Sequence, residues 1–191
     1  MLTDLQRKKL THYFNVLDVD SNGTIEQKDF VNIGENLCVL WSFKEGTEEF
    51  DACVNRCTKT WISFREFMGK PQDGHAALEE WLEFADHIIV NGREELYEKH
   101  VNKIAQEIFD FFDTDKDGFI SLDEYIDLFM AYKIDIKFSA RSFTKLDRNQ
   151  DDFISRAELL QGIREFFRSD DENAPGNWLF GFWEDIGKTE N

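Results

Sequence analysis

The sequence predicts an all-α fold in which four helix–loop–helix units are arranged as two pairs in one compact globule. Three observations predict it. Acidic twelve-residue stretches recur along the chain, at residues 18–29, 113–124 and 147–158. Each stretch lies between segments whose apolar residues repeat at helical spacing. The last two stretches begin 34 residues apart, at residues 113 and 147, and this short spacing indicates neighbouring units that pack as a pair.

The acidic stretches have the oxygen pattern of a calcium site. Calcium takes six to eight oxygen ligands at ~2.3–2.6 Å. In such a loop, positions 1, 3 and 5 supply side-chain oxygens, position 7 a carbonyl and position 12 both oxygens of a carboxylate, while glycine at position 6 permits the sharp turn. Residues 113–124 fill every one of these positions, which disfavours an acidic surface turn as the alternative. The candidate ligands of this loop are Asp113, Asp115, Asp117, Phe119 and Glu124.

The first unit is predicted to begin at residues 3–6, where Thr-Asp-Leu-Gln fits a capping box. Its helix leads into the loop at residues 18–29, which ends in Asp29 where glutamate is usual. Aspartate is one methylene shorter, so a six-coordinate site forms more easily, and that geometry suits magnesium better. We therefore predict a mixed calcium and magnesium site. The candidate ligands of this loop are Asp18, Asp20, Asn22, Thr24 and Asp29.

The second unit has no intact loop. One alignment, at residues 69–80, places Gly74 at position 6 and Glu80 at position 12, but Gly69 and Pro71 at positions 1 and 3 offer no side-chain oxygen. Another alignment, at residues 55–66, is disfavoured because Pro71 would interrupt its exit helix. We predict from the first alignment a unit that keeps its fold without a metal; the alternative is a helix–loop–helix unrelated to the repeat. Residues 43–50 are predicted to form a loop and residues 50–68 to be mostly helical.

The fourth unit contains the loop at residues 147–158, which has Asp152 at position 6 in place of glycine. Aspartate tolerates the left-handed backbone better than most residues, so we expect metal binding to persist. Position 8 of each loop is apolar. We expect short two-stranded β ladders there, pairing Ile120 with Ile154 and Ile25 with Ala76. The candidate ligands of the fourth loop are Asp147, Asn149, Asp151, Phe153 and Glu158.

The chain is predicted to divide into three parts. Residues 1–90 form an N-terminal pair of units and residues 91–168 a C-terminal pair, with an Asn-Gly turn at 91–92 between them. Residues 169–191 form a tail that is polar at first and then strongly apolar. Since an exposed apolar chain end would be a liability, we expect the tail to pack on the core. The alternative is a peptide that binds a protein target.

Composition restricts the partners and the location of the protein. The 191 residues have a net charge of −17, so nucleic acid and anionic lipid surfaces should repel the chain. No apolar run approaches the ~20 residues of a membrane helix, and the N-terminus lacks the apolar stretch of a secretory signal. The three cysteines, Cys38, Cys53 and Cys57, indicate reduced, buried thiols. We expect a cytoplasmic monomer.

These units resemble EF-hands, and the chain resembles the sarcoplasmic calcium-binding protein family, which includes calexcitin and the invertebrate luciferin-binding proteins. The resemblance covers nearly the whole chain. It rests on the three loops, the altered second unit and the GNWLFG segment at residues 176–181. Asp29 at the end of the first loop also fits the family, whereas Asp152 departs from it. The resemblance implies a compact, cytosolic, four-handed protein that serves as a calcium buffer or signalling protein.

The sequence discriminates among three classes of function. The first is a cytosolic calcium buffer or calcium-signal modulator with three functional EF-hands; because only three methionines are present, a flexible Met-rich groove is disfavoured. The second is a calcium-regulated carrier of an apolar small molecule, with the five tryptophans as candidate cavity residues, although aromatic residues at helical spacing more often belong to the core. Light emission is disfavoured because the chain ends in Asn191 without the terminal proline of photoproteins. The third, an enzyme, is rejected because no nucleophile–base group or phosphate-binding loop is found.

Overall fold

The computed structural model describes residues 1–183, and within them eight α-helices and two small antiparallel sheets. The all-α, four-unit fold class is therefore confirmed. The helices are α1 Asp4–Leu17, α2 Gln27–Leu40, α3 Glu48–Phe67, α4 Leu78–Phe84, α5 Glu94–Phe112, α6 Leu122–Ala131, α7 Ser139–Leu146 and α8 Arg156–Arg168. The strands are β1 Thr24–Ile25, β2 Ala76–Ala77, β3 Phe119–Ile120 and β4 Ile154–Ser155. A π-helical segment, Ala85–Val90, continues α4, and 3-10 turns occur at Ile136–Phe138 and Pro175–Trp178.

The ladders between the loops have the predicted register. Ile25 is opposite Ala76 in the first sheet, and Ile120 is opposite Ile154 in the second. The first of these pairs also identifies the second loop. Ala76 lies in a strand and α4 begins at Leu78, as the alignment at residues 69–80 requires, whereas residues 55–66 lie inside α3. Each sheet therefore joins two consecutive helix–loop–helix units.

Local hydrogen bonds explain where the helices begin. The predicted capping box at Thr3 is present: the Gln6 N–H donates to Thr3 Oγ1 at 3.2 Å, and the Thr3 N–H donates to Gln6 Oε1 at 3.1 Å. Thr47 caps α3, so that helix begins at Glu48, slightly before the predicted start. Capping matters because the first amides of a helix have no partner within it.

Aromatic side chains in the core pack the helices against one another. Trp81 is fully buried, and its indole N–H donates to the carbonyl of Leu10 at 2.9 Å, which joins α4 to α1. Helix α3 packs closely on α2 at Gly34, where an added Cβ would come within 2.9 Å of the Val54 Cα. All three cysteines are buried and free. No helix in the described part of the chain is long and apolar enough to cross a membrane.

The described part of the tail packs against the helices. Leu179 and Phe180 are buried, and the Tyr125 hydroxyl donates to the Leu179 carbonyl at 2.6 Å. Lys9 of α1 is also buried. Its ammonium group donates to the carbonyls of Glu165 and Ser169 at 2.9 and 2.8 Å, and to the Asn177 side-chain oxygen at 2.9 Å. Lys9 thus connects α1 and the end of α8 to the tail. Residues 184–191 of the predicted tail lie outside the described residues.

Candidate metal centre

The third loop brings together three carboxylates. Oxygens of Asp113, Asp115 and Glu124 lie within 4.8 Å of one another. Asp113 Oδ2 accepts a hydrogen bond from the Gly118 N–H at 3.1 Å, whereas Asp113 Oδ1 is buried and has no hydrogen-bond partner. A buried, unpartnered carboxylate oxygen is costly. A cation bound between these groups would supply the missing partner, and hard oxygen donors suit calcium.

The carboxylate of Glu124 is held at this site by its own loop. Its Oε1 accepts from the Thr114 N–H at 2.8 Å, and its Oε2 accepts from the Ser121 N–H at 2.9 Å. Burial favours the neutral acid, but the hydrogen bonds from Ser121 and Thr114 outweigh it and lower the pKa of Glu124. Ser121 also caps α6. Positions 9 and 12 of the loop therefore double as the capping box of the exit helix, which orients the charged carboxylate towards the loop.

The first loop forms a second group of carboxylates, from Asp18, Asp20 and Asp29. Asp29 is fully buried, and its Oδ2 accepts from the Glu26 N–H at 2.8 Å. Burial raises the pKa of Asp29, although the hydrogen bonds from Glu26 and Asp20 oppose the shift. Lys28 Nζ lies 2.8 Å from Asp20 Oδ2. An ion in this loop would compete with that ammonium group for Asp20, a competition that the loop pattern alone does not reveal.

The fourth loop has the same backbone path with fewer carboxylates in contact. Asp147 accepts from the N–H groups of Asp151 and Asp152 at 3.2 and 3.0 Å, and Glu158 accepts from Arg148 and Ser155 at 2.8 and 2.9 Å. Position 3 is an amide, Asn149. Within residues 1–183, groups of three acidic side chains close enough to share an ion occur in the first and third loops, and the fourth does not form one.

The turn at position 6 takes the left-handed backbone in all three loops. The φ angles are 87° at Gly23, 89° at Gly118 and 67° at Asp152. Position 4 is left-handed as well. Ser21, Lys116 and Gln150, which occupy position 4, have φ angles of 57°, 61° and 59°. The sequence analysis did not predict this conformation, although the position is the same in each loop. This shared left-handed conformation directs the backbone N–H groups that follow towards the first aspartate of each loop.

The second loop satisfies its last carboxylate without a metal. Glu80 Oε1 lies 2.5 Å from Lys70 Nζ, and Glu80 Oε2 accepts from the Ala77 N–H at 3.1 Å. An ammonium group thus neutralises position 12. Because Gly69 and Pro71 supply no side-chain oxygen at positions 1 and 3, this loop has no donor set for calcium.

A cavity of about 410 Å³ lies apart from the loops. Its walls come chiefly from α3 and α5, with residues of α1, α2, α6 and the tail. Phe112, the last residue of α5, is among them and directly precedes Asp113. None of the five tryptophans lines this cavity among the described residues, so the less favoured of the two interpretations of these residues, a cavity wall, is wrong. Trp61 and Trp81 are instead fully buried in the core.

Comparison with known proteins agrees with the geometry of the third loop. Residues 104–132, which contain that loop and parts of both flanking helices, match the EF hand domain model. The chain therefore contains an EF-hand domain. It is 22% identical over 166 residues to calerythrin from Saccharopolyspora erythraea, a match that covers 87% of this chain and 94% of calerythrin. The predicted resemblance to the sarcoplasmic calcium-binding protein family is confirmed.

The solved structures that share the fold of this chain include a coelenterazine-binding protein and a photoprotein. The calcium-loaded apo form of the coelenterazine-binding protein from Renilla muelleri superposes with a TM-score of 0.77 at 22% identity, covering 94% of this chain and 99% of that one. Magnesium-loaded apo-berovin, a ctenophore photoprotein whose three calcium-binding loops bind magnesium ions, gives a TM-score of 0.60 at 19% identity, covering 87% and 88%. At these identities the likeness concerns the fold.

Proposed function

We propose that this EF-hand protein binds three calcium ions, in the loops at residues 18–29, 113–124 and 147–158, and acts as a cytoplasmic calcium buffer or calcium-signal modulator. The observation that carries the proposal is Asp113 Oδ1, a buried acceptor with no partner beside two further carboxylates. The fifteen ligands are those predicted from the loop positions. The first site is mixed, since Asp29 is short and buried and the loops of berovin bind magnesium.

Buffering is the simpler of these two roles. A modulator must present a new surface when calcium binds, and the described part of the tail covers the helices through the contacts of Lys9 and Tyr125. A protein target would need those contacts to break. Hydrogen exchange of the tail amides, with and without calcium, separates the roles. A buffer leaves exchange in residues 176–181 unchanged or slower, whereas a modulator with a releasable tail shows it faster.

The cavity supports a second function, that of a calcium-regulated carrier for an apolar small molecule. Its volume of about 410 Å³ lies within the range of small-molecule sites, ~300–1,000 Å³. Phe112 joins its wall directly to Asp113. An ion that pulls Asp113 inwards would therefore move a wall residue. Mass spectrometry of the protein under denaturing conditions, after native purification, tests this role: a stoichiometric organic molecule supports it.

A further inference from the structure

The cavity is lined by several polar groups, one of which is buried without a hydrogen-bond partner. The side chains of Tyr13, Tyr132 and Glu107 line it. His100 also lines it, and its Nε2 is buried without a partner. Burial, with Lys103 adding to the effect, lowers the pKa of His100 to about 4, so its ring is neutral at pH 7. The remaining wall is largely apolar. A few convergent polar groups in an apolar cavity are typical of a ligand site.

Glu107 is the acidic group that sets the charge of the inner cavity. Glu66 also lines the cavity, but it is exposed. Burial raises the pKa of Glu107 to about 7; Lys103 opposes the shift, Asp110 adds to it, and Arg56 opposes it. The Tyr13 and Tyr132 hydroxyls also lie within range of its charge. None of the described basic groups lies within 4 Å of the Glu107 carboxyl.

The nearest arginine is engaged elsewhere. The Arg56 guanidinium lies 4.0 Å from the centre of the Phe111 ring and 3.9 Å from Asp110 Oδ2. These contacts bridge α3 and α5 beside the cavity. Lys99 and Lys103 line it too, but both are exposed. Lys59, which lines a smaller neighbouring pocket together with Glu107, is exposed as well. The half-buried Glu107 carboxyl thus has no ion-pair partner among the described residues, while the basic side chains around it remain in solvent.

We propose that the cavity binds a small aromatic molecule that carries a protonated amino group, with the amine paired to Glu107 and the rings packed against the phenylalanines of α3 and α5. This inference rests on the carrier function. An ammonium group makes charge-assisted hydrogen bonds to a carboxylate and is attracted by aromatic faces. A ligand with a carboxylate would be repelled by ionised Glu107, and an uncharged ligand would leave that carboxylate without an ion-pair partner.

Three fluorescent probes with the same apolar body test the proposal: 1-pyrenemethylamine, 1-pyrenemethanol and 1-pyreneacetate, titrated at pH 8 by pyrene emission. We expect the amine to bind about 10- to 100-fold more tightly than the alcohol, the range for a hydrogen bond to a charged group, and the acetate to bind most weakly. Glu107→Gln should abolish the preference for the amine and leave binding of the alcohol unchanged. Lowering the pH from 8 to 6 should reduce the preference, since the Glu107 carboxyl then gains a proton.

Glu95→Gln is the matched control, because Glu95 is an exposed acid on the same helix. It should leave all three affinities unchanged. Equal binding of amine and alcohol, or an equal loss of amine binding in both variants, would overturn the proposed amine preference, since attraction to the acidic surface would then explain the data. Saturable binding of none of the three probes would instead overturn the carrier function. Circular dichroism spectra of the variants establish that each is folded.

Discussion

Replacing Glu124 by glutamine should remove most of the stabilisation that calcium gives the third loop. Both oxygens of Glu124 already point into the loop, held by the amides of Thr114 and Ser121, and glutamine keeps only one oxygen. An ion at 1,000 times its Kd stabilises the fold by about 4 kcal/mol. For a chain of this size each kcal/mol shifts the Tm by about 2–4 °C. We expect the calcium-induced rise in Tm to shrink by about 8–16 °C in Glu124→Gln.

The assay is differential scanning calorimetry in excess chelator and in excess calcium, so that each variant is compared with its own metal-free form. Glu80→Gln is the matched control, at the same position of the second loop. There the carboxylate is paired with Lys70 and no ion is expected, so the calcium-induced shift should equal that of the unmodified protein. A full calcium shift in Glu124→Gln, or an equal reduction in Glu80→Gln, would refute the assignment of ligands.

Three further predictions concern the first loop, the cavity and the tail. Asp29→Glu should let the first loop use both carboxylate oxygens and raise its preference for calcium over magnesium about 10-fold, as measured by calcium titration with and without magnesium. The folded pKa of Glu107, about 7, exceeds its ordinary value of 4.5, so the free energy of unfolding falls as pH rises between these values. In urea unfolding, Glu107→Gln should therefore be about 1–2 kcal/mol more stable than the unmodified protein at pH 8 and equally stable at pH 4. This magnitude is reduced from the full pKa shift because Glu107 is partly exposed. Lys9→Met should cost about 2–4 kcal/mol in the same assay, because the carbonyls of Glu165 and Ser169 lose their buried donor.

Loop positions in the sequence were enough to predict the fold and the pairing of its units. Each loop places an apolar residue at position 8, and the register of both ladders follows from that single position: Ile25 with Ala76 and Ile120 with Ile154. The fifteen ligands predicted from the same loop positions remain a prediction, as does the division at residues 90 and 168. Local spacing is informative here because loop, strand and helix cap occupy twelve consecutive residues.

Contacts between distant residues could not be predicted in this way. Lys9 donates hydrogen bonds to carbonyls more than 150 positions away in the sequence. A periodic sequence pattern does not predict contacts over that separation. The pairing of Lys70 with Glu80 depends on which way a long, flexible side chain turns. Helical spacing favoured the core over a cavity wall for the tryptophans, and Trp81 lies in the core, but the hydrogen bond from its indole to α1 could not be predicted from spacing. The cavity itself depends on how far apart α3 and α5 lie.

Calorimetric titration of chelator-treated protein with calcium measures the stoichiometry and affinity of the three proposed sites. The three loops predict three ions per chain, bound at micromolar or lower concentrations, with magnesium weakening the uptake of one of them. Uptake of a fourth ion would contradict the conclusion that the second loop binds no metal. Uptake of none would contradict the assignment of calcium binding to this chain.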